Sequence, residues 1–466
     1  EQLAGLRKEL AGPHPGLAAG MAKWEAGLRL PELRKLPKPL RDALLTDPAK
    51  RTEAQKRAAE DRYRTVAPEL EPVRRKLAEA QRQKDALMKQ VPTTLISIAV
   101  PPRVVRVLPR GNWLDESGEI VQPGVPASLS PLGVQGRRAT RLDLAHWLTA
   151  ADHPLTSRVF VNRLWKLFFG QGIVKTMDDF GSQGRWPTHP DLLDWLAVEF
   201  MGEPGAKGEP GVSAPGGHWD VKHMVKLMVT SAAYRQVSTT SGELRHRDPY
   251  NELLARQARF RLDAEMVRDN ALAISGLLSR KVGGPSVKPY QPAGYWALLN
   301  FPRREYVPDR GEDQHRRGLY TYWQRTFPHP SLVAFDAPSR EECTVERPRS
   351  NTPLQALVLL NDPTYVEAAR AFAERIVREG GPDTAGRVHF AFRQALARKA
   401  RPEELKLLEA LHAQHRKQYQ ADKAAAEALL KVGERPAPKD VDPAELAAWM
   451  SVARVVLNLH ETITRN

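Results

Sequence analysis

The sequence predicts a mainly α-helical protein with a small β element near residues 93–126 and a long irregular segment rich in Arg and Pro. From about Arg141 onward, apolar residues recur at the three- and four-residue spacing of amphipathic helices. Runs of β-branched residues, TTLISIAV and PRVVRVLP, are confined to the β element, and Pro101-Pro102 separates them. A Pro-, Gly- and Tyr-rich stretch at 281–350 lacks either periodicity, which is why we expect it to be irregular.

The first 90 residues are rich in Ala, Leu, Glu, Lys, Arg and Gln. Two charged helices are predicted toward the end of this region, interrupted near Pro68 and Pro72, because proline removes a backbone donor and clashes with the preceding turn. Their apolar stripe is thin and lacks sustained heptads, which favours a hairpin over a coiled coil. We therefore predict a helical linker or hairpin over residues 1–90 and a helical domain over 91–466.

Local start and stop signals punctuate the helical part. Gly170 is predicted to end the helix that carries SRVFVNRLWKLFF, and Asp442-Pro443 to open the last helix. Within DDFGSQGRWPTHPDLLDWL, Thr188 is predicted to cap a helix, with Asp191 three residues later closing a capping box. A Gly/Pro-rich stretch at 202–217 is predicted to be a surface insertion.

Composition and charge exclude several functional classes. The formal net charge is +15, but basic residues are interleaved with acidic ones and no nucleic-acid-binding signature accompanies them, so nucleic acid is disfavoured as a partner. No apolar run is long enough to span a membrane. One cysteine, Cys343, excludes an internal disulfide and a thiolate metal cluster, and we expect it to be buried. The motifs of kinases, P-loop and dinucleotide-binding enzymes and serine hydrolases are missing, so no catalytic or metal site is predicted.

Two polar motifs are candidate ligand-binding sites. The first places Arg158, Asn162 and Arg163 on one helix and Asp179 and His189 in the loop that follows. These residues either grip an anion or bond neighbouring loop carbonyls and carry surface charge.

The second motif is FDAPSREECTVERPRSNTPLQALVLLND, with candidate residues Asp336, Arg340, Arg349, Asn351 and Gln355. Several guanidinium groups beside an acid suit recognition of carboxylate or sulfate groups, whereas an internal network of salt bridges would instead fix the irregular segment. Aromatic residues at 290–327 form either a stacking platform for sugars or ordinary packing.

The stretches SRVFVNRLWKLFFGQGIVKTMDDFGSQGRWPTHPDLLDWLAVEF, VTSAAYRQVS, RFRLDAEMVRDNALAISGLLSRKVGGPSVKPYQP and FDAPSREECTVERPRSNTPLQALVLLNDPTYVEAARA occur in the order typical of one family. With VARVVLNLHETIT at the end, the chain closely resembles the planctomycete family called domain of unknown function 1553 over about residues 93–466. Relatives often carry domain of unknown function 1549 and a cytochrome c-like domain upstream. The resemblance therefore implies an extracytoplasmic protein associated with polysaccharide degradation, with no cofactor in this chain and haem only on an upstream domain.

The preferred hypothesis is a module that binds an anionic polysaccharide or a partner protein and is linked to a redox domain. It predicts a concave pocket that joins Arg158, Asn162 and Asp179 to the second motif. A polysaccharide-acting enzyme, a hydrolase or an oxidoreductase, would instead require paired carboxylates or a metal in that pocket, with Asp179 and Asp336 the first candidates for mutation. A structural scaffold would pair these residues with one another and leave no cavity.

Overall fold

The computed structural model describes residues 2–91, 93–202, 219–299 and 304–465. The chain divides into two compact units, Glu1–Val121 and Gln122–Asn466. The predicted insertion at 202–217 lies outside the described residues except for Gly202. In the described ranges, none of the helices has the length and apolar character needed to cross a membrane.

Six α-helices form most of the described part of the first unit: α1 Gln2–Ala11, α2 Leu17–Gly27, α3 Leu30–Arg34, α4 Lys38–Leu45, α5 Glu53–Arg64 and α6 Glu71–Gln90. A capping box starts α5, because Thr52 accepts a hydrogen bond from the Gln55 backbone and Gln55 returns one to the Thr52 backbone. Tyr63, Ala67 and Leu70 are buried in the small core of this unit. The predicted interruption between the two charged helices is present, as a short 3₁₀ turn at Pro68–Leu70.

The predicted β element near residues 93–126 is reduced to one antiparallel bridge between Arg106 and Ile120. The Val107 and Val121 amides donate to the Glu119 and Val105 carbonyls on either side of this bridge. Residues 93–100 form no strand, and Leu95 and Ile96 are exposed. High β propensity alone does not make a strand, because a strand needs a neighbour to pair with, and Pro101-Pro102 offers no backbone donor for continuing a ladder.

The second unit contains thirteen helices among its described residues: α7 Arg141–Leu148, α8 Thr156–Phe169, α9 Pro190–Met201, α10 Val221–Thr230, α11 Gly242–Arg247, α12 Ala264–Ser275, α13 Pro330–Ala334, α14 Pro353–Asn361, α15 Pro363–Glu379, α16 Thr384–Leu396, α17 Pro402–Ala421, α18 Lys423–Leu430 and α19 Pro443–Asn458. One antiparallel sheet of two short strands, β1 Phe260–Arg261 and β2 Thr464–Arg465, joins the middle of the chain to its end. The mainly α-helical class is confirmed, although the sheet does not lie where the β element was predicted.

Two hydrophobic cores stabilise this unit. The larger one surrounds α15 and α19, where Phe372 and Trp449 are fully buried. The smaller one packs α8 against α9 and α10 through Trp165, Leu196 and Met224. The candidate polar motifs lie at the edges of these cores, on α8 and on the irregular segment before α14.

The helix boundaries test the start and stop signals. Gly170 ends α8 in the left-handed conformation, and the Asp442 carboxylate caps α19, as predicted. The predicted cap at Thr188 is wrong, because α9 begins at Pro190 with His189 in the capping position. Thr188 instead uses its hydroxyl to donate to the Ile173 carbonyl, at 3.3 Å. Its side chain therefore anchors the loop and not the helix.

Candidate functional site

Asn162 is the buried anchor of the first polar motif. Its amide nitrogen donates to the Val174 carbonyl at 2.9 Å, and its amide oxygen accepts from the Val174 backbone N–H at 2.9 Å. The side chain is completely buried. Because both polar ends of the amide are used, Asn162 fixes the chain that follows α8 and has no group left for a ligand.

The two arginines of this motif lie on the outer surface of α8. Arg158 donates to the Asp194 carboxylate of α9 at 2.7 Å, and this bond holds the pKa of Asp194 below its usual range. Arg163 is exposed and makes no hydrogen bond or ion pair with any residue in the described ranges. Neither guanidinium therefore shares a pocket with the other candidate residues.

Residues 176–189 form a loop that is stabilised by its own internal hydrogen bonds. The Asp179 carboxylate accepts from the Gly181 amide at 2.7 Å, as in an Asx turn. The Thr176 hydroxyl donates to the Asp179 carbonyl at 2.7 Å and accepts from the Arg185 amide at 2.9 Å. Asp179 therefore shapes the turn. His189, at the end of the loop, faces a cavity described below.

In the second motif, Asp336, Asn351 and Gln355 belong to one internal network. The Asp336 carboxylate accepts from the backbone and hydroxyl of Ser350, at 2.7 and 2.8 Å. Gln355 and Asn351 both accept from the Arg261 guanidinium, and Gln355 also donates to Ser350. These three residues hold the irregular segment against β1, which is the structural alternative foreseen for them.

The arginines of the second motif differ in how closely a carboxylate approaches their guanidinium groups. Arg347 lies 2.7 Å from the Glu265 carboxylate, whereas Arg340 lies 3.9 Å from it and stacks on the Trp323 ring. Arg349 lies 3.8 Å from the Asp263 carboxylate and 4.9 Å from the centre of the Phe260 ring. Apart from this loose ion pair of its Nε atom, Arg349 makes no hydrogen bond to a described residue, so the N–H donors of its two terminal nitrogens are available to a ligand.

The two motifs meet at the C-terminal end of α8. Lys166 on α8 forms an ion pair with Glu346 at 2.9 Å, which connects the helix to the Arg-rich segment. Arg465 of β2 contacts the rings of Tyr234 and Phe260, and burial lowers the pKa of its guanidinium. These contacts bring Arg349 and His189 to the same cavity.

This cavity has a volume of about 260 Å³. Its wall consists of Trp165, Phe169, Gly170, Gln171, Gly172, Ile173, Thr188, His189, Tyr250, Asn251, Glu252, Leu254, Ala258, Arg259, Phe260 and Arg349. Two of these residues, Arg349 and Arg259, carry positive charge. The acidic residue of the wall, Glu252, accepts from Lys175, which also lies over the Tyr250 ring at 5.3 Å. The cavity therefore favours negative charge.

Two glycines allow the cavity wall to pack closely. Gly170 has φ +77°, and a Cβ at this position would lie 2.7 Å from the Phe260 ring. A Cβ on Gly172 would lie 2.5 Å from the Val174 carbonyl and 2.8 Å from the Asn162 amide. Asn162 therefore supports the cavity from behind, although it does not line it.

One wall of the cavity is a loop that contains none of the residues predicted from the sequence as site candidates. The loop of residues 248–257 is folded around the buried Asp248 carboxylate, which accepts from the Glu252 and Leu253 amides at 2.8 Å. Asn251 and Leu254 both have φ +55°, a left-handed conformation that asparagine tolerates but that is unfavourable for the bulky leucine. Backbone strain of this kind is concentrated at functional sites. The stretch DPYNELLARQARF carried a turn signal in Asp-Pro-Tyr-Asn, but nothing in it indicated a strained leucine.

The aromatic stretch, Cys343 and the possible metal ligands are the remaining features singled out in the sequence. Trp296 is buried and packs on Tyr306 with ring centres 5.0 Å apart, so this part of the aromatic stretch serves packing. The expectation that Cys343 is buried is wrong, because it lies in the exposed part of the Arg-rich segment. Within the described ranges, His, Cys, Asp and Glu side chains form no group of three suited to hold a metal ion.

The comparison with known families identifies the class of this protein. A family model described as PSD1, a protein of unknown function (DUF1553), matches residues 140–412. The match spans α7 to α16 and about half of α17, and it includes both polar motifs and the cavity. The chain belongs to this family, as the sequence motifs indicated. No curated protein and no solved structure matches the chain.

Proposed function

We propose that this protein is a binding module for an anionic ligand, with an acidic polysaccharide as the ligand class, and that the cavity beside Arg349 is its binding site. The observation that carries the proposal is the state of Arg349. Its guanidinium is held over Phe260 but has no hydrogen-bonding partner in the described structure. A planar guanidinium with free donors binds carboxylate and sulfate groups in a bidentate geometry.

The shape and composition of the cavity support this ligand class. Its volume of about 260 Å³ is suited to one substituted sugar ring. Exposed Tyr250 and the Phe260 ring offer apolar surface to a sugar, while Gln171 and His189 offer polar groups.

A binding role accounts for the site better than the enzymatic alternative does. Asp179 and Asp336 both accept hydrogen bonds from their own loops and neither lines the cavity. Glu252, the carboxylate that does line it, is paired with Lys175. The scaffold alternative accounts for Asp336, Asn351 and Gln355 and for the contacts of Arg349 with Asp263 and Phe260, but it leaves the cavity without a role.

The cellular setting belongs to the same proposal. The resemblance on which it rests implies an extracytoplasmic, planctomycete-type protein that acts in polysaccharide degradation and is linked to a cytochrome c-like redox domain. In that setting the module would hold an acidic glycan near the redox partner. Electrostatic attraction between the glycan and a chain of net charge +15 would assist capture.

The test is calorimetric titration of the chain with a chondroitin sulfate hexasaccharide, in parallel with the neutral hexasaccharide of cellulose. We expect the sulfated glycan to bind and the neutral one not to bind. Arg349→Ala should weaken binding at least tenfold, and Arg349→Lys should fall between because lysine cannot form the bidentate contact. Arg340→Ala is the matched control, since it removes the same charge from the same segment but outside the cavity wall. Equal losses from Arg340→Ala and Arg349→Ala would refute the assignment.

A further inference from the structure

Trp186 is an exposed aromatic side chain close to the cavity. Its relative exposure is 84%, although tryptophan side chains are highly buried on average in folded proteins. It precedes Thr188, which lines the cavity, by two residues. The Cα atoms of these residues are therefore at most about 7 Å apart, which is comparable with the length of one sugar unit.

The backbone that carries Trp186 is held at both ends. On one side the Arg185 amide donates to the Thr176 hydroxyl at 2.9 Å. On the other side the Thr188 amide donates to the Ile173 carbonyl at 3.0 Å. Within this short span Pro187 further restricts the chain. The indole is therefore presented on a fixed turn, so that little backbone entropy is lost when a ligand covers it.

The turn itself cannot relax easily. A Cβ on Gly184 would lie 2.2 Å from the Asp179 carbonyl, which shows how closely the two arms of the turn approach each other. The same turn is closed by the Asp179 carboxylate, which accepts from the Gly181 amide. The conformation of residues 179–185 thus holds Trp186 outside the core. Packing in the protein interior therefore does not explain why a tryptophan occurs at this position.

We propose that Trp186 is a second contact for the glycan, on which the sugar ring next to the one in the cavity stacks. This inference rests on the proposed function, and it specifies the ligand as an acidic oligosaccharide longer than one sugar unit. The flat indole face supplies apolar contact to the C–H face of a sugar ring, while Arg349 binds the anionic group in the cavity. Affinity should therefore increase with chain length, and Trp186 should account for that increase.

The experiment compares a chondroitin sulfate disaccharide with the hexasaccharide by calorimetric titration. Trp186→Ala should weaken hexasaccharide binding about tenfold, in line with the loss of one stacking contact, and leave disaccharide binding within about twofold. Trp186→Tyr should retain most of the hexasaccharide affinity because it keeps a ring. Trp113→Ala is the matched control, since Trp113 is 77% exposed but belongs to the first compact unit, whereas the cavity and Trp186 belong to the second.

The outcomes separate this inference from the proposed function. If the wild-type chain binds the hexasaccharide and Trp186→Ala binds it equally well, or loses both ligands to the same extent, the stacking role is refuted while the cavity assignment stands. If the wild-type chain binds neither oligosaccharide, both proposals are refuted. An unchanged melting temperature of Trp186→Ala would show that any loss of binding does not reflect unfolding, as its exposure leads us to expect.

Discussion

The replacement Asn162→Ala tests how the candidate site is supported. In the wild-type protein the buried Asn162 amide satisfies both the N–H and the carbonyl of Val174, each at 2.9 Å. The alanine variant leaves these two groups without partners in a place that is closed to water, since Val174 is itself only 2% exposed. Each unsatisfied group costs about 1–3 kcal/mol, so the expected loss of local stability is about 3 kcal/mol.

Hydrogen exchange followed by mass spectrometry is the suitable assay, because a chain of two compact units need not unfold in one step. A local loss of about 3 kcal/mol accelerates exchange of the Val174 amide roughly a hundredfold. The matched control is Arg163→Ala, which changes the next residue of the same helix where it is exposed. An acceleration below about fivefold, which corresponds to about 1 kcal/mol, would refute the claim that Asn162 fixes this backbone.

Three further predictions address packing and charge. Gly170→Ala should destabilise the second unit by about 1–3 kcal/mol and weaken glycan binding, because a left-handed alanine would also displace Phe260; thermal melting and titration measure both effects. Glu404→Gln should cost about 1–2 kcal/mol at pH 7, since the Arg398 guanidinium lowers the pKa of Glu404 from 4.5 to about 2. This difference between wild type and variant should be present above pH 4.5 and vanish as the pH falls to about 2; in urea unfolding, a constant difference would contradict it. Glu367→Gln should lower the free energy of unfolding by about 3–5 kcal/mol in the same assay, because it removes the negative charge that faces the buried guanidinium of Arg370. A loss of stability below about 1 kcal/mol would contradict that reasoning.

Local chemistry explains which parts of the fold could be predicted from the sequence. Gly170 ends a helix and Asp442 begins one because the backbone conformation and the cap depend on the residue itself and its nearest neighbours. Thr188 has equally suitable chemistry for a cap, but Ile173, fifteen residues earlier in the chain, engages its hydroxyl. The same limit applies to residues 93–100, whose β propensity finds no pairing strand in the described structure.

The candidate site was predictable only in part, for a related reason. Residue type alone indicates Arg349 and His189 as candidates, and the structure places both in the wall of one cavity. The sequence could not show that Arg347 is neutralised by an ion pair while Arg349 faces the cavity. The partner of Arg347 is Glu265, which lies more than eighty residues away in the chain. The domain division near residue 90 stays a prediction, and the two compact units divide after Val121.

Glycan binding at the cavity is tested most sharply by a hydrogen-exchange footprint of the chain with and without the chondroitin sulfate hexasaccharide. Binding at the cavity predicts slower exchange in three separate stretches that meet only in the folded protein, around residues 170–173, 185–189 and 250–260. Arg349→Ala should remove this protection. Protection confined to other parts of the chain, or no protection at a glycan concentration that saturates binding, would show that the glycan does not bind at this cavity.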